Sequence, residues 1–547
     1  MKFRLPSVKL NATALTAWVA LWCLLALNVP FWSKVLSIRP MHSFDDALYL
    51  VSFAVLTFVV VNLFLMPLTL LRPIAKPVLA LAVLLAGLAS YFVSAYGVLI
   101  DKVMIRNVFE TNGTEAGELL NFNFASYVGL LGVLPAFLVM RAGLIALSWR
   151  RELAHRGIAL GLTVMGVGIV AAAFYQDHAS TFRNNRELRH MLVPVNYLAG
   201  LGSYVGEITR PDLPYQAIGN DAKLGSKWTG AAADRPMIVV LVVGETARAA
   251  NFGLNGYGRQ TTPQLAATPG VIHFNDVSSC GTSTAISVPC MFSDLGRAEF
   301  TSEKAKARDN LIDIAQKAGF DVQWFGNNTN CKGVCRSVPE IRAARENYPQ
   351  FCVGDSPCMD GGIFDMFGKT LAEPSGRKLV VLHMLGSHGP GYHLRYPKEF
   401  EQFTPVCRET DFSKCDVQDI VNAYDNTILY TDHLLAETIR QLSALADRAD
   451  TALLYVSDHG ESLGENGIFL HALPYAVAPR VQTHVPMVFW SSPGLASRMG
   501  IDMTCVANQR DKTLSHDNLL HSMLGLLDIE TQVRKPDSNL FECYRSN

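Results

Sequence analysis

Five stretches of mainly apolar residues, 11 to 33, 47 to 71, 77 to 100, 126 to 148 and 157 to 175, lie in the first third of this 547-residue chain, and nothing comparable follows them. Each is near the ~20 residues that a helix needs to cross a hydrocarbon layer. The reading is five spanning helices followed by a large domain in water. The first stretch is long, and its end, Asn28-Val-Pro-Phe-Trp32, lacks the small-x-small pattern of a cleaved leader, so it is taken as a retained helix. Only 17% of the residues are charged, too few for an ordinary soluble protein, and a formal net charge of −1 leaves no footprint for nucleic acid.

Basic residues orient the spans. Lys2, Arg4 and Lys9 precede the first, Arg72 and Lys76 separate the second from the third, and Arg150, Arg151 and Arg156 separate the fourth from the fifth. Those segments are expected on the cytoplasmic side, which with an odd number of spans puts the carboxyl half outside. The bias is moderate, since Lys34, Arg39, Lys102 and Arg106 lie in the other two loops. Cysteine usage points the same way. Cys23 is alone in the first span, whereas ten cysteines follow the last one, an even set at short spacings that suggests disulfides in an oxidising compartment. Nearest-neighbour pairing would join Cys280 to Cys290, Cys331 to Cys335, Cys352 to Cys358, Cys407 to Cys415 and Cys505 to Cys543. Spacing does not prove that connectivity, and a four-cysteine zinc site is the competing reading.

Three parts are expected: 1–176 as the transmembrane domain, 177–235 as a linker with an amphipathic stretch (Arg186 to Leu201) suited to the membrane surface, and 236–547 as an α/β domain. In the last part, short apolar runs at 237–243, 320–325, 378–384, 451–457 and 485–490 alternate with helix-like segments. This alternation predicts a mainly parallel sheet flanked by helices.

Several of these runs end in chemistry-bearing residues. Gly244-Glu245-Thr246 follows the first, Leu382-His383-Met-Leu-Gly386-Ser-His388-Gly-Pro390 surrounds the end of the third, and Ser457-Asp458-His459-Gly460-Glu461-Ser462 ends the fourth, with His471 shortly after. Chemistry in α/β sheets gathers beyond the carboxyl ends of strands, so the set points to one convergent site. A hydroxyl-rich loop bounded by cysteines, Ser278-Ser-Cys280-Gly-Thr282-Ser-Thr284-Ala-Ile-Ser-Val-Pro-Cys290, could hold a nucleophile on a turn that opens a helix, where a phosphate would meet free backbone N–H groups. A hydroxyl is too weak an acid to attack phosphorus unaided, whereas a divalent metal beside it lowers its pKa. Glu245, Asp458 and His459 with a hydroxyl oxygen as fourth ligand would satisfy tetrahedral zinc without a cysteine.

Taken together, the five spans, Gly-Glu-Thr, Cys-Gly-Thr-Ser-Thr-Ala-x-Ser-Val-Pro-Cys-Met, Gly-Ser-His-Gly-Pro and Ser-Asp-His-Gly-Glu-Ser resemble the lipid A phosphoethanolamine transferases, a family that includes chromosomal enzymes and the mobile colistin-resistance enzymes. The resemblance covers essentially the whole chain. It implies a soluble domain folded like alkaline phosphatases and sulfatases, located in the periplasm and anchored in the bacterial inner membrane. It implies Thr284 as nucleophile, with Thr282 the weaker candidate, and Glu245, Thr284, Asp458 and His459 around one tightly bound zinc ion. His388 and His471 match positions near the phosphoryl group or a second, weaker metal. Substrate contacts are implied at Asn107, Thr111 and Glu115, whose four-residue steps would share one face of a helix, and at Thr329 and Lys332, where the family also carries Ser in place of Thr329. The implied partners are phosphatidylethanolamine as donor, lipid A as acceptor and membrane lipid, with no obligate protein partner. Another anchored enzyme of the same fold, a phosphoglycerol transferase, phosphatase or sulfatase, is the nearest rival. A transporter or receptor with an external binding domain is the rival of a different class, although apart from Arg141 the spans are nearly free of charge.

Overall fold

The computed structural model describes residues 9–111, 113–145, 147–185, 187–229, 234–352 and 356–543, without the side chains of Thr114 and Glu115. Lys2 and Arg4 lie outside the described residues. The chain divides into two compact units, Met1–Phe109 with Leu120–Thr209, and Glu110–Leu119 with Arg210–Asn547.

Among the described residues of the first unit, four helices are long and apolar enough to span a membrane, Phe44–Thr69, Arg72–Tyr96, Phe122–Arg141 and Trp149–Asn184. The first predicted span is a bent pair, Ala12–Leu27 and Val29–Ile38, at 65° to one another, and it makes a fifth span if the pair crosses as one. The break has a local cause. Asn28 leaves helical geometry, Pro30 opens the next helix, and the buried Asn28 side chain bonds Cys23 O and Val193 O through Nδ2 and accepts from Val193 N through Oδ1. These bonds stand in for helical ones that the bend removes. Ser43 and Asp46 form a capping box at the start of the next helix, and Gly97, at φ 67°, ends Arg72–Tyr96 in the left-handed conformation that a C-terminal glycine adopts without strain. The last long helix begins at Trp149, ahead of the apolar window at 157, because its polar first turns are stabilised in place: Arg156 pairs with Glu152 one turn back and donates to Met66 O and Thr69 O. Ile158, Leu162, Val164 and Ile169 on this helix are exposed, as expected where lipid takes the place of water.

The second unit is built on a seven-stranded sheet. In chain order its strands are β1 (Met237–Gly244), β2 (Ile272–Phe274), β3 (Asp321–Gly326), β4 (Glu340–Ile341), β5 (Arg377–His383), β6 (Asp450–Ser457) and β7 (Met487–Ser491). They lie side by side as β2-β7-β6-β1-β5-β3-β4, and all neighbours are parallel except where β7 runs against β6 and β2. Every residue of β1 and β6 is buried, as central strands covered on both faces require, β1 through a near-continuous Val, Ile and Leu run and β6 through the apolar stretch Ala452 to Val456. The two outermost strands, β2 and β4, have only three and two residues, too short to be legible as apolar runs. Helix α1 (Thr284–Met291) and the long helix α2 (Val417–Ser443) matter most for the site. The five cysteine pairs are formed between neighbours in sequence, and Cys23 is free and buried.

Candidate active site

Register sets the first half of the site. β1 and β6 pair in parallel from Met237 against Asp450 to Gly244 against Ser457, so the next residues, Glu245 and Asp458, leave the sheet side by side. Asp458 N continues the ladder to Gly244 O at 2.9 Å. Thr246 then adopts φ 54°, a strained conformation for a β-branched residue, and this turn aims its N–H at Asp458 Oδ1, 3.2 Å away. Tyr424 of α2 locks the turn by donating to Thr246 O at 2.7 Å and accepting from Arg248 N. From β5, the chain passes over Glu245 at Gly386, and Ser387 N bonds Glu245 O at 3.0 Å. Gly386 sits at φ 53°, and a Cβ there would come within 2.6 Å of Glu245 O. Gly386→Ala is therefore expected to destabilise the protein by about 2–3 kcal/mol and to displace Glu245. Thermal unfolding of the protein in detergent checks this, and an unchanged midpoint would contradict it.

The hydroxyls of the cysteine-bounded loop are not equivalent. Thr282 Oγ1 donates to Leu473 O at 2.6 Å, Ser279 Oγ to Gly281 O at 2.6 Å, and Ser287 Oγ accepts from Gly281 N. Thr284, the first residue of α1, faces the strand ends instead, with Oγ1 at 3.0 and 3.2 Å from the two oxygens of Glu245. The Cys280–Cys290 disulfide closes the loop around it, and buried His516 ties the loop to the sheet, accepting from Cys280 N through Nδ1 and bonding Ser457 O through Nε2.

Burial holds the His516 pKa down to about 4, as befits a ring that must stay neutral to accept one bond and donate the other. A depressed histidine contributes stability above its unfolded value near 6.5 and loses it as pH falls through about 4, up to about 3 kcal/mol for this shift. His516→Gln, which can accept and donate without titrating, is expected to flatten the loss of thermal stability between pH 6.5 and 4. Parallel losses in the two proteins would contradict this role.

Glu245, Asp458 and His459 are fully buried and offer one ligand atom each within 4.8 Å of one another. His459 Nε2 lies 3.3 Å from Glu245 Oε1 and 3.4 Å from Asp458 Oδ2, while its Nδ1 is engaged by Gly460 O at 2.9 Å. Neither His459 Nε2 nor Asp458 Oδ2 makes a hydrogen bond. Burial, then the charge of Glu245, pushes the Asp458 carboxyl well above its ordinary range. Burial opposes a charge on His459, yet Asp458 and Glu245 outweigh it and raise that ring to about 10. Two carboxylates and an imidazole, oriented by second partners and aimed at one point with unsatisfied atoms, fit a divalent cation of the zinc type.

Around this cluster, the His471 ring lies 4.5 Å from that of His459 and 5.3 Å from that of His388. His471 Nδ1 contacts Glu461 Oε2 at 2.7 Å, and Tyr392 donates to the other oxygen of Glu461. Lys332, at φ 51° inside the Cys331–Cys335 loop, has its Nζ 3.2 Å from Glu110 Oε2. Thr329 lies three residues before it, its N–H held by Asn328 Oδ1. The helix expected to carry Asn107, Thr111 and Glu115 is not continuous: Asn107 is in Lys102–Glu110 within the first unit, Thr111 falls outside both helices, and the next helix is Gly113–Leu119. Gly113, a poor helix former, lies at that break, and the Glu115 side chain lies outside the described residues.

Supporting residues that strand-end reasoning passes over include Asn328, Asp360 and Arg395. Asp360 accepts Leu385 N and Gly386 N, and Arg395 donates to His388 O and Glu118. Asp360 and Arg395 follow no apolar run, and Asn328, two residues beyond β3, carries an amide and not a metal-type ligand, although Glu461 could have been read from its place two residues beyond His459.

Known proteins bear directly on this arrangement. The family model "Phosphoethanolamine transferase EptA/EptB" matches residues 57–208, and the Sulfatase model matches residues 238–529. The chain is 38% identical to phosphoethanolamine transferase EptA of Escherichia coli K12 over 542 residues, 99% of this chain and 98% of that protein. It is 36% identical to phosphatidylethanolamine transferase Mcr-1 of E. coli, covering 94% of each. Its structure is similar to that of the integral membrane lipooligosaccharide phosphoethanolamine transferase A from Neisseria meningitidis, with a TM-score of 0.93 and 36% identity over 99% of this chain and all of that one. With both of its parts matched and its length shared, the chain belongs to the EptA family of membrane phosphoethanolamine transferases.

Proposed function

We propose that this protein moves phosphoethanolamine from phosphatidylethanolamine to a phosphate of lipid A on the periplasmic side of the inner membrane, through a covalent phosphoethanolamine–Thr284 intermediate. The observation that carries the reading is the seat of Thr284: its oxygen bonds a carboxylate of the buried cluster, Glu245, whereas Thr282 and Ser279 bond backbone carbonyls. Five disulfides support an oxidising compartment.

Zinc held by Glu245, Asp458 and His459 beside the Thr284 oxygen would lower the pKa of that hydroxyl and offset charge on the phosphoryl oxygens. In the first step the Thr284 oxygen bonds phosphorus, the bond from phosphorus to the glycerol oxygen breaks, and diacylglycerol departs with the proton that the threonine loses. His471, oriented by Glu461 through Nδ1, keeps Nε2 for that proton relay. In the second step an oxygen of a singly protonated lipid A phosphate bonds the same phosphorus, the bond from phosphorus to Thr284 Oγ1 breaks, and the proton of the acceptor phosphate returns to the threonine. Lys332, and Thr329 beside it, serve phosphate binding, the lysine as a point charge. His388, Asn107, Thr111 and Glu115 are assigned to substrate binding on the family resemblance.

Each added ethanolammonium offsets negative charge on lipid A and weakens its attraction for cationic peptides such as polymyxins. Expression in a polymyxin-sensitive bacterium should add about 123 Da to lipid A, the mass of one transferred group, and raise survival in colistin. Unmodified lipid A with diacylglycerol accumulating would favour a hydrolase of the same fold.

A further inference from the structure

The side-chain amide of Asn328 has a fixed sense. Its Oδ1 accepts the Thr329 N–H at 2.7 Å, so the donors are on Nδ2, which reaches Glu245 Oε2 at 2.6 Å and Met384 O at 3.2 Å. The residue is buried, and its partners exclude the flipped orientation. The other oxygen of the same carboxylate, Glu245 Oε1, is the one facing His459 Nε2 at 3.3 Å. Both oxygens of Glu245 also accept from Thr284 Oγ1, Oε2 at 3.0 Å and Oε1 at 3.2 Å, so what distinguishes them is the other partner, the neutral Asn328 amide for Oε2 and the His459 ring for Oε1.

We propose that Asn328 is a positioning residue of the metal centre: by holding Oε2 it makes Glu245 present Oε1 alone to the cation. This rests on the zinc reading above. The last torsion of a glutamate is broad and two-fold, so without an anchor the carboxylate could exchange its oxygens or bind through both. A neutral donor fixes it without adding a charge that would compete with the cation, which a lysine in the same place would do. The same amide holds the Thr329 N–H, so the loop that leads to Lys332 is linked directly to a ligand of the centre. Neighbouring Asn327 does a different task, donating to Asp360 Oδ1 at 2.9 Å and Cys358 O at 2.8 Å.

The test is zinc affinity of the full-length protein in detergent, stripped of metal and titrated against a chromophoric chelator. Asn328→Ala is expected to weaken zinc binding by about 10- to 100-fold, the usual effect of losing a partner of a ligand, while Asn327→Ala, a lesion in the same loop, stays within about 3-fold of the parent. Parental affinity in Asn328→Ala, or an equal loss in both variants, overturns the proposal. A parent protein that binds no zinc removes the metal centre itself, a failure distinct from either. A zinc-loaded crystal structure of the unmutated protein decides the matter even if the variants do not fold. One Glu245 oxygen at about 2.0–2.2 Å from zinc with Asn328 on the other supports the assignment, and two oxygens on the metal refute it.

Discussion

Thr284→Ala is expected to lower phosphoethanolamine transfer by about 10³-fold or more while the protein remains folded and membrane-bound. The hydroxyl is the reacting group in the proposed cycle, and two other hydroxyls of the loop are held elsewhere: Thr282 Oγ1 is committed to Leu473 O, and Ser279 Oγ to Gly281 O. The structural cost is small, since alanine keeps the start of α1 and only one donor to Glu245 disappears, about 1 kcal/mol. Thr282→Ala should behave in the opposite sense, losing some stability and less than about tenfold in rate, because its hydroxyl anchors Leu473, two residues beyond His471, without bonding the cluster. Product analysis of membranes containing each variant separates the two threonines. Full transfer by the Thr284 variant, or equal losses in both, would show that the nucleophile is misassigned.

Removal of zinc is the second large effect. The purified protein is expected to hold about one tightly bound zinc ion per chain. Stripping it should abolish transfer and lower thermal stability, with both restored by zinc in slight excess. A site filled at 100 times its dissociation constant stabilises the folded state by about 2.7 kcal/mol. Asp458→Asn is the sharper probe. Asn keeps an oxygen to accept Thr246 N and His459 N, the bonds that Oδ1 now makes, but replaces the unpartnered Oδ2 by an amide that cannot ligate. It should therefore fold, bind zinc at least about 10- to 100-fold more weakly and be correspondingly inactive. Activity that survives chelation in the parent would sink the metal centre as proposed.

Which parts of this were legible in the sequence follows from the range of the interactions concerned. Apolar runs of membrane length are local, so the spans stood out, but the 65° bend after the first did not, because it is set by Asn28 reaching Val193, 165 residues away. Glu245 and Asp458 are readable because each directly follows a buried strand, with His459 the next residue, and the parallel register of β1 and β6 then brings Glu245 and Asp458 together without further information. The choice between Thr282 and Thr284 was not readable from the residues alone. It depends on a carbonyl at Leu473, 191 residues on, and in the sequence only the family resemblance favours one over the other. The four-residue steps from Asn107 to Glu115 suggested a single helical face, yet the helix ends at Glu110, and spacing alone carries no signal for that break beyond Gly113. Asn328 escaped because an amide next to a second amide and a hydroxyl looks like an ordinary loop until its partner is seen to be a candidate ligand.

The central claim is that Thr284 carries the phosphoethanolamine group between lipids, and intact-mass analysis of the zinc-loaded protein after incubation with phosphatidylethanolamine alone tests it most directly. The account predicts release of diacylglycerol and a gain of about 123 Da that maps to Thr284, is absent from Thr284→Ala and disappears when lipid A is added. Diacylglycerol release without any adduct, or an adduct that persists in Thr284→Ala, would contradict it.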